Sequence, residues 1–186
     1  MKKLLLVIAL CPAFVFAAHH PSPKGADSSF FNLSLTPDIA IYKRHTKIQG
    51  FILGIWSENP QAAFSLGIVN GSTGDSAGFA LGLFNYADSY TGFHFSIANW
   101  TKKDFLGVQA GAGNYTAGTI TGAQVGFVNF AGRINGVQIG LVNYAESAGS
   151  GVQVGIVNIL SQNTRWFGEF PKAVAPFMVL ANWRFN

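Results

Sequence analysis

Gly122-Ala123-Gln124-Val125-Gly126-Phe127-Val128-Asn129 is followed by Gly136-Val137-Gln138-Ile139-Gly140-Leu141-Val142-Asn143 and by Gly151-Val152-Gln153-Val154-Gly155-Ile156-Val157-Asn158. The three octets share one pattern, Gly-x-Gln-x-Gly-x-x-Asn. Toward the N-terminus, Gly107-Val108-Gln109-Ala110-Gly111-Ala112-Gly113-Asn114 keeps all of it. Gly92, Ser96 and Asn99 keep the frame without the glutamine, as do Gly78, Gly82 and Asn85, and Ala63, Gly67 and Asn70. Gly50 and Gly54, with Ser57 in the asparagine place, begin the series. From Ser57 through Asn70, Asn85, Asn99, Asn114, Asn129 and Asn143 to Asn158 the steps are 13, 15, 14, 15, 15, 14 and 15 residues. Eight copies at so regular a short period indicate a repeat architecture. Val179 and Asn182 fit the frame as a degenerate ninth copy.

Within a copy the side chains alternate, which is the mark of a strand. One face reads Val137, Ile139, Leu141 and the other Gly136, Gln138, Gly140. An aromatic often follows the asparagine, as at Tyr86, Trp100, Tyr115, Phe130 and Tyr144. Between copies lie small polar runs such as residues 145–150, Ala-Glu-Ser-Ala-Gly-Ser, which are turn signals.

Two all-β architectures use such units. The leading expectation is an up-and-down antiparallel membrane β-barrel of about ten strands. Ten residues rise ~33 Å, and a tilt near ~40° reduces this to ~25 Å, the height of a membrane barrel's apolar band. The apolar face would then meet lipid and the Gly/Gln face would line a narrow lumen. Eight repeats, a strand near Phe30–Leu35 and one over Phe177–Phe185 would make up the ten. The alternative is a β-solenoid with one coil per 14–15 residues, in which asparagines and glutamines form ladders and Val, Ile and Leu fill the core. The regular period favours the solenoid. The low charge favours the barrel, because the outside of a solenoid normally meets water.

Charged residues make up 11% of the 186, hydrophobic residues 49%, and the mean hydropathy is +0.28. An average soluble domain carries about 25% charged residues. The formal net charge is +4, of which Lys2 and Lys3 contribute two, leaving +2 and no case for a nucleic-acid partner. Those lysines, the apolar run Leu4–Phe16 and the small-residue pattern Val15-Phe16-Ala17 predict a signal peptide over residues 1–17. A flexible mature N-terminus over 18–28 and a single β-repeat domain over 29–186 would follow. The expected location is the bacterial outer membrane or cell surface. Cys11, flanked by Leu10 and Pro12, falls inside the leader. The exported chain would then have no disulfide and no thiolate metal site.

The Gly-x-Gln-x-Gly-x-x-Asn units, with a closing segment Trp166 to Asn186 that contains Pro171, Pro176, Asn182 and Phe185, resemble bacterial surface-repeat proteins built of tandem GxQxGLxN units. The resemblance runs from about residue 46 to the end. It implies an envelope location and no known catalysis, in a family whose function is not known. Copies before Phe105 depart from the motif, with Ile52, Ser65, Ala80 and His94 in the glutamine place.

The glutamines Gln109, Gln124, Gln138 and Gln153, with His94 in the same column, are the candidate lumen-lining or ladder-forming residues. The asparagines Asn70, Asn85, Asn99, Asn114, Asn129, Asn143 and Asn158 are the candidate structural residues, since Asn satisfies local backbone groups. His19 and His20 near a new N-terminus would offer copper or nickel a chelate, but two residues at a chain end make no site. No catalytic triad order, phosphate loop or paired-carboxylate motif is present, so no enzyme, cofactor or metal is expected. The expected role is structural or that of a narrow pore, with outer-membrane lipid as partner. The alternative is a surface-exposed, adhesion-like solenoid that binds another surface or polymer, its protein or polysaccharide partner unknown.

Overall fold

A computed structural model describes residues 28–185; the expected leader lies outside them. The chain forms β1 (Ser28–Thr36), β2 (Ile39–Ala40), β3 (Lys47–Asn59), β4 (Ala62–Leu81), β5 (Phe84–Phe95), β6 (Ala98–Thr101), β7 (Phe105–Ala110), β8 (Gly113–Val125), β9 (Val128–Ile139), β10 (Val142–Leu160) and β11 (Phe177–Phe185). Like residues pair with like across the repeats. Asn114 lies beside Asn129 and Asn129 beside Asn143, while Gln109, Gln124, Gln138 and Gln153 neighbour one another in turn. All pairings from β1–β3 to β9–β10 are parallel.

The chain is therefore a β-solenoid of eight coils, and the expected ten-strand membrane barrel is overturned. A meander would pair neighbouring strands antiparallel and put each asparagine opposite the far end of the next strand. Here one repeat closes one full coil, so identical residues stack. Corners make this closure. The chain bends at Gly126-Phe127 and Gly140-Leu141, between successive strands. It turns again at Gly78, Gly92, Gly107, Gly122 and Gly136, all at φ of 129–143°. Unequal periods are absorbed locally. Thr116 pairs with Ala131, fifteen residues on, but Thr119 pairs with Arg133, fourteen on, and the ladder shifts between them.

The expected solenoid core is inverted. Val, Ile and Leu of the octets point outward, and the amides point inward. In one coil the buried residues are Asn129, Ala131, Ile134 and Gln138. Their columns hold the buried apolar stack Tyr90, Phe105, Ile120, Ile134 and Ala148 and the small stack Ala87, Ala131 and Ala145.

Both ends are closed by antiparallel strands. At the N-terminal end β1 adds a partial coil, with Asn32 beside Ile52, and β2 turns back on it. At the C-terminal end β11 runs antiparallel to β10 and sets Asn182 beside Gln153. The expected ninth copy is thus a reversed cap. These additions reduce the edge open to further pairing: β11 covers β10, and β2 covers the end of β1 at Ser34 and Thr36.

Candidate functional site

The interior is built from amides. Each asparagine of the series donates its side-chain N–H to the side-chain oxygen of the next, from Asn70 to Asn158, at 2.8–3.1 Å. The same Nδ2 groups donate to the carbonyls of Leu81, Phe95, Ala110, Val125, Ile139 and Val154, where the chain enters the Gly corner. The corner carbonyls would otherwise be buried with spare acceptor capacity, which native structures avoid. Gln124, Gln138 and Gln153 each donate to the preceding glutamine at 2.7–2.8 Å. The Gln and Asn columns therefore form filled ladders and leave no lumen between them.

Removing one rung has a calculable effect. Asn143 accepts from Asn129 and donates to Asn158 and to the Val154 carbonyl. Asn143→Ala strands a buried donor and two acceptors and is expected to cost about 2–3 kcal/mol. The shift in the urea unfolding midpoint measures it.

His94 occupies the glutamine column but joins no ladder. Both its ring nitrogens lack a partner, as does the hydroxyl of Tyr90, whose ring packs 4.1 Å away. Burial alone holds its imidazole down to about 3.

The distinctive surface is outside. Numbering each copy from its asparagine, the residues six and four places before it form one outer face. The residue two before it forms a ridge. The residues one before and one after it form a second face. The ridge carries Ile55, Ile68, Leu83, Ile97, Phe127, Leu141 and Ile156, with Ile97 60%, Phe127 64% and Ile156 59% exposed. The octets 64–71, 79–86, 93–100, 108–115, 123–130, 137–144 and 152–159 contain no Asp, Glu, Lys or Arg. Between residues 60 and 160 every charged side chain (Asp75, Asp88, Lys102, Lys103, Asp104, Arg133, Glu146) lies on the remaining side of the coil. The solenoid is an amphipathic prism, apolar on two faces and polar on the third.

The second face has a margin of rings furthest from the ridge. Tyr115 stacks on Phe130 at 4.7 Å and Phe130 on Tyr144 at 4.9 Å, nearly parallel. These three rings cover part of one another's flat faces. Trp100 stands edge-on to Tyr115 and is half exposed. Beside it Ala98 and Gly113 lack bulk between Phe84 and Val128, which opens an apolar notch of about 400 Å³. Among the described copies a charged group interrupts this face at the first coil. There Glu58 pairs with Arg44 and accepts a short hydrogen bond from Tyr86, whose hydroxyl is pushed up to about 12 by burial and this carboxylate.

No family model, curated protein or solved structure matches this chain. The functional reading therefore stands on the surface itself. The second apolar face was not legible as such in the octets. Its signal was the doublet before each asparagine, Phe127-Val128 or Leu141-Val142, which breaks the strand alternation because both members lie outside a corner. Among the described residues no group of three or more His, Cys, Asp or Glu side chains is placed to hold a metal. A second concavity, on the polar side, holds Asp75 and Asp104, and Asp104 accepts from the Thr119 amide.

Proposed function

We propose that this protein is a non-catalytic envelope module, a β-solenoid that docks on another surface through its two apolar faces. One observation carries the reading: seven successive coils keep both faces free of charge while the third side collects the charges. Seven coils at ~4.8 Å spacing and two faces each ~13 Å wide make an apolar surface on the order of 900 Å². Soluble monomers rarely expose patches beyond about 300–600 Å², and larger ones mark interaction sites. Internal amide ladders support the same reading. They supply the cohesion that a large apolar core would supply elsewhere, so the apolar residues are free to serve the exterior.

Sedimentation with isolated bacterial envelopes tests the proposal. The wild-type chain is expected to pellet with them, and Ile97→Glu/Phe127→Glu, which charges two exposed ridge positions, to remain in solution. Equal retention of both proteins, or retention of neither, would refute the docking role.

A further inference from the structure

We infer that the occupant of the apolar wedge is the acyl-chain region of a lipid leaflet, on which the solenoid lies ridge-down without spanning it. The inference rests on the docking reading above and names its partner.

Shape is the first argument. The two apolar faces meet at a convex ridge, so a second copy or any rigid flat partner covers one of them and leaves the other in water. One face alone offers about 450 Å², below the ~800 Å² per partner of a stable protein interface. Fluid acyl chains close around both faces together.

Backbone satisfaction is the second. At the ridge the amides donate along the solenoid axis to neighbouring coils: Gly126 to the Ile139 carbonyl at 3.0 Å, Phe127 to Ala112 at 2.9 Å, Leu141 to Phe127 at 2.9 Å. Hydrocarbon accepts only backbone whose polar groups are paired within the protein. A solenoid coil meets that condition on its flat sides as a barrel wall does.

The third argument is the order of residue types. Passing from the ridge over the second face one meets a mostly aliphatic column, Val69, Val128, Val142 and Val157 with Phe84 among them, then the column Tyr86, Trp100, Tyr115, Phe130 and Tyr144, then the charged side. Aromatic residues gather at the level where hydrocarbon gives way to headgroups. An interfacial element buries its apolar face about 5–10 Å deep, and a wedge at that depth brings this column to the headgroup boundary. The notch between Phe84 and Val128 is apolar and open, and it accommodates the end of an acyl chain.

Flotation of the exported chain with uncharged phosphatidylcholine vesicles tests the inference. The wild-type protein is expected to float with the vesicles and to stay bound in high salt. Acyl chains brominated near the headgroup should quench its tryptophan fluorescence, and part of that quenching should vanish in Trp100→Phe. Ile97→Glu/Phe127→Glu is expected to reduce the bound fraction about tenfold or more. Gly113→Glu should reduce it too, because a side chain at Gly113 meets nothing within 4 Å and points from the notch. Ala117→Glu/Thr121→Glu adds two charges on the polar side and should leave binding unchanged. Circular dichroism confirms that each variant is folded. Wild-type protein that stays unbound, that salt strips off, or that the polar-side pair weakens as much as the ridge pair overturns the inference. Envelope binding without vesicle binding defeats the lipid inference and leaves the docking reading standing; loss of both defeats both.

Discussion

Gly122→Ala is expected to destabilise the solenoid by about 3–5 kcal/mol, enough to unfold a marginally stable chain. Two effects add. Gly122 sits at φ +129°, a region that is close to glycine-only and strains other residues by about 1–3 kcal/mol. An added Cβ would also land on the Gly107 carbonyl oxygen, well inside van der Waals contact. Relaxation is blocked because the contact is between backbones. Gly107 stands in the same relation to Gly92, and Gly136 to Gly122, while the ladders hold the coil spacing fixed. The second glycine column provides the comparison. Gly126 also packs on a neighbouring carbonyl, but its φ lies outside the left-handed region, and Ser96 fills the equivalent place two coils earlier in the same column. Gly126→Ser should therefore cost clearly less than Gly122→Ser. Urea unfolding of the four proteins checks the order, and a Gly122→Ala variant within about 1 kcal/mol of wild type would show that the strain is not stored there.

The repeat and its strands were legible because the period is carried by residues with distinct chemistry, Gly, Gln and Asn. Strand direction was not. Alternation states which side chains share a face and is silent on whether the neighbouring strand runs parallel. The decisive clue was identity: an asparagine at every step, from Asn99 to Asn158, is best used where asparagines touch one another, and only in-register parallel coils allow that. Polarity was half legible. The barrel expectation had amides inside and aliphatics outside, as the coils do, but with the wrong topology. The solenoid expectation had the topology with the core reversed. A coil of 14–15 residues has room inside for about four side chains, and the corner carbonyls claim one of them for Asn and one neighbouring ladder for Gln. The aliphatics are left to the exterior. The early copies were harder to read because Ile52, Ser65 and Ala80 fill the glutamine column with unrelated side chains. What unites that column is burial, which no motif records.

His94 makes this column a weak point in acid. Its imidazole is buried between Tyr90 and Phe105, at ring distances of 4.1 and 5.0 Å, with neither nitrogen paired. Burial lowers its pKa from 6.5 to about 3. Above pH 6.5 the group is neutral in both folded and unfolded chains and stability does not depend on it. Below pH 6.5 the unfolded chain binds a proton that the folded chain refuses, so stability falls with pH by about 1.4 kcal/mol per unit until pH ~3. By pH 4 this amounts to about 3 kcal/mol. His94→Gln removes the titration and restores the residue that Gln109, Gln124, Gln138 and Gln153 carry. Gln124, Gln138 and Gln153 each donate to the glutamine of the preceding coil, and a glutamine at 94, paired in register with Gln109, would offer that residue the same acceptor. The substituted amide oxygen would accept there, which adds about 1 kcal/mol at neutral pH. Urea unfolding of both proteins at pH 7 and pH 4 should thus show a gap of about 1 kcal/mol that widens to about 4 kcal/mol. A gap that does not widen would mean that the acid lability lies elsewhere and that the His94 cavity admits a proton at little cost.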